Sequence, residues 1–498
     1  MKGKNNTERE IRLCGDDGKL LNEVEERKQL RETWKQIYQK HENKIDEEWN
    51  EGMRNEYRVD EVSSITIRKY QNIPENIHIN IHMPIDVKET ITFHRNIQEH
   101  MDLVFRVEKP IKIMKKFHIE REEVARIIKT LKNGKVPGED GLKAEIFKGM
   151  LNSPKLIETM KHCFNEIVNT GKIPISWKTS ITKMIPKKTK PTASDLRPIA
   201  ITNVVYKIFM AIIRDEIEQH LKINHLTKEN QNGFTRGARI EDNIFILNYC
   251  IEKSKTMKLP LIILAIDYSK AFDSVDRKQM IKIMKEYRID EKIIDVIAEI
   301  YTGDSTKICL RKDMEENMEI TSGIRQGCTC SSVIFKMVTF AIMRKLEQTS
   351  DGFSDKHFKI NSLYFADDAL IMEHSIEKMK MTQKTVAETS AIFGLNLNKK
   401  KCQIIMYNMK RDIEEIKGIG VTERIKYIGV QIGEKKDIFG FHKKQIIIKA
   451  QKFANQTYSV TEKSVNKLLI GKTFWKSLVL PSILHAVAGS RNRENAND

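Results

Sequence analysis

The run 363-LYFADDALIM-372 sets two adjacent aspartates, Asp367 and Asp368, between flanks of strand-forming apolar residues. That pattern predicts a β-hairpin with its acidic pair at the turn. Adjacent carboxylates repel, and they stay ionised together most easily when cations or water neutralise them. A solvated Asp-Asp turn and half of a two-metal site both satisfy the local pattern. A third carboxylate, Asp267, separates them. It ends the run 259-LPLIILAI-266, which is short, apolar and β-rich, as a buried strand is. The end of a rigid strand opening to solvent suits a functional carboxylate. Phe272 lies five residues beyond Asp267.

At 498 residues the chain can bury a large core and hold more than one domain. Its 86 Lys+Arg against 68 Asp+Glu leave a net charge of +18, which favours a polyanionic partner and salt-sensitive binding. With 40% hydrophobic and 31% charged residues the composition is that of a globular protein. The seven cysteines are scattered without a C-x-x-C pair, so no zinc site is expected. Cys328 and Cys330 read as packing residues. The N-terminus MKGKNNTERE has no apolar signal core and no run is long enough to cross a bilayer. An intracellular protein, nuclear or cytoplasmic and not secreted, is the expectation.

Along the chain, residues from about 7 to 57 are charged and helix-prone, with Trp34, Ile37, Tyr38 and Ile45 as sparse apolar positions. They read as a solvated helical extension or a linker. His78 and His82 share a face of a short strand-like run, with no third metal ligand nearby. An amphipathic helix starts at Glu120 and is expected to end at Asn133-Gly134. A second places Ile157, Met160, Cys163, Phe164 and Ile167 on one face and closes near Gly171. The stretch 177-WKTSITKMIPKKTKPTASDLRPIAIT-202 reads as strand, basic loop, strand.

LAIDYSKAFDSVD, then SGIRQGC at Ser322–Cys328, then YFADD, in that order, resemble the palm motifs of reverse transcriptases, specifically those of non-LTR (LINE-type) retrotransposons. GKVPGEDG at 134–141 resembles the segment that opens the fingers in that family. The resemblance runs from about Phe117 to Leu484 and suggests part of a longer polyprotein of a transposable element. It implies an α+β right-hand polymerase: an N-terminal extension or linker (1–110), fingers (111–260), palm (261–424), primer-grip hairpin and thumb (425–490), and a polar tail (491–498). It implies an RNA-directed DNA polymerase, a nucleotidyltransferase acting on an RNA template, a DNA primer and deoxynucleoside triphosphates. Two Mg²⁺ ions, for which Mn²⁺ can substitute, would sit on Asp267, Asp367 and Asp368.

Residue by residue, the resemblance gives Lys187 and Arg197 to the incoming triphosphate, where a guanidinium fork donates twice to phosphate oxygens. It gives Phe272 to the sugar, whose 2′-hydroxyl a bulky ring would meet. Gln326 and Gly327 close on the nascent base pair, and Lys401, in FGLNLNKKKC, lies near the leaving pyrophosphate. Arg236 and Arg239, in QNGFTRGAR, are candidate template and primer contacts, with a solvated charged loop as the alternative. Tyr427 and Gly429, in IKYIGVQIG, resemble the hairpin that seats the primer terminus. One departure stands out. Where relatives carry C-P-L-S-P, this chain has Cys328-Thr329-Cys330-Ser331-Ser332, and losing both prolines is expected to loosen the loop. A catalytically silent remnant or a domesticated RNA-binding protein is the alternative reading.

Overall fold

The computed structural model describes residues 11–39, 111–311, 314–355, 358–409 and 412–433, with isolated helical positions at 448, 451, 472 and 476. Ile45, the His78 and His82 pair, the polar tail and, apart from those isolated positions, everything after residue 433 in the stretch read as thumb lie outside the described residues.

Helix α1 (Glu23–Tyr38) starts on a reciprocal cap, in which the Asn22 side chain accepts from the Glu25 N–H and the Glu25 carboxylate accepts from the Asn22 N–H. Its buried residues are Glu26, Leu30, Trp34 and Tyr38. Spaced by four, they form one stripe along the helix. Residues 11–39 therefore belong to the folded body, where a solvated extension or linker was expected. Few apolar residues suffice when they share a line, and Glu26 joins that line because Arg12, Arg311 and the Leu13 N–H all donate to it.

Three helices follow: α2 (Arg121–Thr130), α3 (Ala144–Gly149) and α4 (Pro154–Thr170). α2 buries Val124, Ile127 and Ile128. It stops at Leu131, which leaves the helix in an extended conformation, so Gly134 (φ 69°) serves the turn beyond rather than the cap. α4 ends on Gly171 at φ 68°, whose N–H donates to the Ile167 carbonyl. Cys163 is exposed, while Asn165 is buried, because its side chain accepts from the Ile119 N–H and donates to the Ile119 carbonyl.

Strands β1 (Thr179–Pro186) and β2 (Leu196–Ile201) form an antiparallel hairpin, and α5 (Val204–Ile223) and α6 (Ile240–Met257) lead to β3 (Leu261–Ile266). After α7 (Ala271–Ser274), α8 (Arg277–Glu286) and α9 (Glu291–Tyr301) come β4 (Ser305–Arg311), β5 (Met314–Glu319) and α10 (Ser331–Thr349). The short pair β6 (Phe353–Ser354) and β7 (Lys359–Ile360) precedes β8 (Ser362–Phe365), β9 (Asp368–Glu373), α11 (Ile376–Ile392) and β10 (Gln403–Tyr407). Two more hairpins, β11 (Glu415–Ile416) with β12 (Ile419–Gly420) and β13 (Arg424–Tyr427) with β14 (Val430–Gly433), complete the described chain.

Two sheets organise these elements into an α+β fold. One has the order β2-β1-β4-β5, with β1 and β4 parallel, and α1 packs across β5 and the turn at 193–195. The other has the order β10-β3-β9-β8 and is antiparallel throughout. Residues Leu261 to Leu264 of β3 are fully buried, which is why this strand reads as a continuous apolar run rather than an alternating one. α10 is buried at every position from Val333 to Met343, so it forms the centre of the core. Among the described residues no helix is long and apolar enough to cross a membrane.

Candidate active site

Ile266 of β3 pairs with Ala369 of β9. Asp267 follows the last paired residue of β3 and Asp368 opens β9 just before the first, so the ladder brings the two carboxylates to one end of the sheet. Asp367 occupies the turn between β8 and β9. Its neighbour Ala366 sits at φ 59°, a left-handed conformation that costs a residue with a Cβ about 1 to 2 kcal/mol. Gln231 holds it there: its Oε1 accepts from the Ala366 N–H at 3.0 Å and its Nε2 donates to the Ala366 carbonyl at 3.2 Å. Gln231 is buried, with Nε2 also 3.0 Å from Thr339 Oγ1.

Three carboxylates so arranged work against one another. Loss of hydration raises the Asp367 pKa, with Asp267 adding to the rise and Arg197 and Lys187 opposing it. Asp368 is pushed up to about 6, first by loss of hydration, then by Asp367 and Asp267. Both residues still face solvent, so their oxygens are reachable from one side. Lys401 lies with its Nζ 3.8 Å from Asp267 Oδ2, on a segment tied to the strand end by the Asn398 N–H donating to the Asp267 carbonyl at 2.8 Å. Among the described residues no three His, Cys, Asp or Glu side chains converge into a ready-made metal cage. The donors are nevertheless hard carboxylate oxygens whose repulsion a hard divalent cation relieves, so the set fits Mg²⁺ by its chemistry.

Across from the aspartates stands the β1-β2 hairpin. The Lys187 N–H donates to the Asp195 carbonyl at 3.0 Å and closes the hairpin mouth, while Lys188 pairs with the Asp195 carboxylate at 2.8 Å. Burial works upward on that carboxyl, yet Lys188 and Thr192 pull it down to about 2. Lys187 and Arg197 are exposed. Lys270 joins the group: its Nζ donates to the carbonyls of Ser194 (2.9 Å) and Leu196 (3.3 Å) and stands 4.4 Å from the centre of the Trp34 ring. Burial, together with the charge of Lys187, brings its pKa down to about 8.

The loop before α10 docks on β2, with the Ala200 N–H donating to the Gln326 carbonyl at 2.7 Å. Gly327 has φ 114°, and a Cβ there would stand 2.5 Å from the Ala200 carbonyl oxygen, so the approach requires glycine. Gln326 Nε2 donates at 3.0 Å to Asp273, a buried carboxyl that burial pushes up to about 7 against the opposing pull of Lys270 and Lys187. The missing prolines are compensated by contacts. Cys328 Sγ meets the Tyr206 hydroxyl at 3.2 Å, Thr329 Oγ1 donates to the Lys207 carbonyl at 3.3 Å, and Arg325 is buried on Asp304. The expected loosening is thus met by a held loop.

Phe272 is half-buried and stacks on Phe335 of α10, with centroids 4.5 Å apart and planes 11° from parallel. Arg236 and Arg239 are exposed on the loop before α6. Tyr427 differs from expectation. It is 2% exposed, its hydroxyl accepting from Asn243 Nδ2 at 2.7 Å and donating to the Leu363 carbonyl at 3.3 Å. The ring is therefore part of the core beneath the acidic hairpin, while Gly429, at φ 84° in the adjacent turn, is exposed. Gln231, Lys270 and Asp273 shape the site without having been singled out from the sequence. Each lies inside a quoted motif, within six residues of Asp267 for the latter two, and that proximity was the available signal.

Residues 185–432 match the family model described as reverse transcriptase (RNA-dependent DNA polymerase). A Pol polyprotein from the type-1 retrotransposable element R2 of Nasonia vitripennis is 25% identical over 55% of this chain and 28% of its own length. The transposon TX1 149 kDa protein of Xenopus laevis is 21% identical over 66% of the chain and 25% of its own length. A probable RNA-directed DNA polymerase from the transposon X-element of Drosophila melanogaster is 22% identical over 72% of the chain and 40% of its own length. The match thus spans between a quarter and two-fifths of these relatives. Through residues 185–432 the chain belongs to the reverse transcriptase family, and its kinship is with the non-LTR retrotransposon members.

Proposed function

We propose that this chain is an RNA-directed DNA polymerase that extends a DNA primer on an RNA template in retrotransposition. The observation that carries the reading is Asp267 at the exit of β3, at the same end of the sheet as Asp367 and Asp368 and near enough to raise the pKa of both. In this reading the β10-β3-β9-β8 sheet is the palm, the hairpin of β1 and β2 belongs to the fingers, and the hairpin of β13 and β14 is the primer grip. The fingers hairpin shares one sheet with strands β4 and β5.

The reaction is in-line attack of the primer 3′-hydroxyl on the α-phosphorus. One P–O bond forms, the bond to pyrophosphate breaks, and the hydroxyl proton passes to solvent. Asp267 and Asp367, with Asp368 beside them, would hold two Mg²⁺ ions, which supply charge neutralisation at the attacking oxygen and the triphosphate. Arg197 and Lys187 hold the triphosphate as a guanidinium fork and a point charge. Lys401, with its Nζ 3.8 Å from Asp267 Oδ2, would offer charge or a proton to the leaving group. Gln326 and Gly327 bring backbone close to the nascent pair, Phe272 excludes a 2′-hydroxyl, and Arg236 and Arg239 contact strand phosphates.

The test compares wild type with Asp367→Ala/Asp368→Ala on a DNA primer annealed to RNA. Extension by the wild type alone, with equal salt-sensitive template binding by both, is expected. Binding without extension by the wild type would favour a silent RNA-binding protein instead.

A further inference from the structure

Phe234 combines two unfavourable features at one position. It is a large apolar residue 48% exposed, and its backbone is left-handed at φ 59°, a conformation in which a bulky side chain is an outlier. Strain of this kind persists where the surroundings over-determine it, and it concentrates at functional sites.

Those surroundings are the ones that hold the catalytic turn. The preceding Gly233 lies so close to the turn that a Cβ would stand 2.0 Å from the Ala366 nitrogen, and its N–H donates to the same Gln231 Oε1 that accepts from Ala366. On the other side, the buried Lys336 ammonium donates to the Phe234 carbonyl at 3.3 Å and to Glu218 at 2.9 Å. Phe234 and the aspartate turn are thus fixed to one another through Gln231, not through a flexible loop.

The ring so placed meets Phe272 edge to face, with centroids 5.8 Å apart and planes at 81°. Phe335 already covers one face of Phe272. Consecutive residues of α10 therefore act together, Phe335 stacking on Phe272 and Lys336 holding the backbone of Phe234. An aromatic pair in this geometry contributes beyond the area it buries. It also removes the freedom with which a half-buried ring could swing aside.

We infer that Phe234 is a positioning residue for Phe272, bracing that ring so that a nucleotide carrying a 2′-hydroxyl is rejected. This rests on the polymerase reading above and on the sugar-facing role given there to Phe272. Without the brace the Phe272 ring yields, and the ribonucleotide gains entry.

The experiment measures kcat and KM for a deoxynucleotide and its matching ribonucleotide with the full chain, on a DNA primer annealed to RNA. Wild type, Phe234→Ala, Phe234→Asn, Phe234→Tyr and Phe272→Val are compared. Asparagine tolerates the left-handed backbone, so it removes the ring while relieving the strain and keeps the test open where alanine fails to fold. The ratio of kcat/KM values is expected to fall about tenfold in both Phe234→Ala and Phe234→Asn, mainly through a lower ribonucleotide KM, and to be kept in Phe234→Tyr. A ratio unchanged in Phe234→Asn while Phe272→Val loses it would overturn the inference. A ratio unchanged in Phe272→Val as well would remove the sugar role of Phe272, and the inference with it. No extension by wild type with deoxynucleotides would instead overturn the polymerase reading itself.

Discussion

Gln231 grips Ala366 by both of its backbone groups, accepting from the N–H at 3.0 Å and donating to the carbonyl at 3.2 Å. The residue gripped is the left-handed one that aims Asp367. Gln231→Leu keeps the volume, loses both bonds and leaves the Ala366 groups unsatisfied in a buried place. A loss of about 1 to 3 kcal/mol in stability is expected. Extension should fall by a larger factor than that loss of folded protein explains, with template binding retained. Chemical denaturation together with steady-state extension checks both parts.

Trp34 is fully buried and carries Lys270 above its ring. Trp34→Ala should destabilise by about 3 to 5 kcal/mol, as large aromatic deletions in cores do. It should also raise the KM for nucleotide, because Lys270 spans the turn after Asp267 and the hairpin bearing Lys187 and Arg197. A thermal unfolding midpoint equal to wild type would return α1 to the status of a solvated extension.

Gly327 admits no Cβ, since one would stand 2.5 Å from the Ala200 carbonyl oxygen at a φ of 114°. Gly327→Ala must push β2 and its Arg197 away, with an expected cost of about 1 to 3 kcal/mol. Nucleotide KM should rise more than kcat falls. Single-nucleotide extension over a range of nucleotide concentrations separates the two.

Asp273 gives a pH dependence of known sign. Burial raises its pKa from 3.8 to about 7 in the folded chain, so between those values the folded state binds more protons than the unfolded one. Its contribution to stability therefore falls as pH rises from about 4 to about 7 and is constant above that range. Asp273→Asn should flatten that part of the profile, with the amide oxygen still able to accept from Gln326. Denaturation midpoints across the range, for wild type and variant, measure the difference.

The acidic hairpin, the buried β3, the basic hairpin and the helix capped by Gly171 were all legible in the sequence, because each depends on local period and turn chemistry. α1 was not, because its burial depends on a stripe that includes a glutamate, and Glu26 goes inside only with Arg311 from a strand far along the chain. The grouping of Asp267 with Asp367 and Asp368 was proposed from motif order, whereas the Gln231 clamp and the Lys270 bridge depend on contacts between distant segments that no period records. Tyr427 shows the converse, since a motif position promised a surface contact and the fold used the ring as core.

The central claim is that Asp267 and the pair at 367–368 form one centre, though about a hundred residues separate them in sequence. The most direct measurement is extension of a DNA primer on an RNA template with deoxynucleotides and Mg²⁺, comparing wild type with Asp267→Ala at equal template occupancy. Robust extension by wild type, abolished by excess chelator, and loss of at least about a thousandfold in the variant are predicted. Extension by Asp267→Ala within a few-fold of wild type would contradict the account.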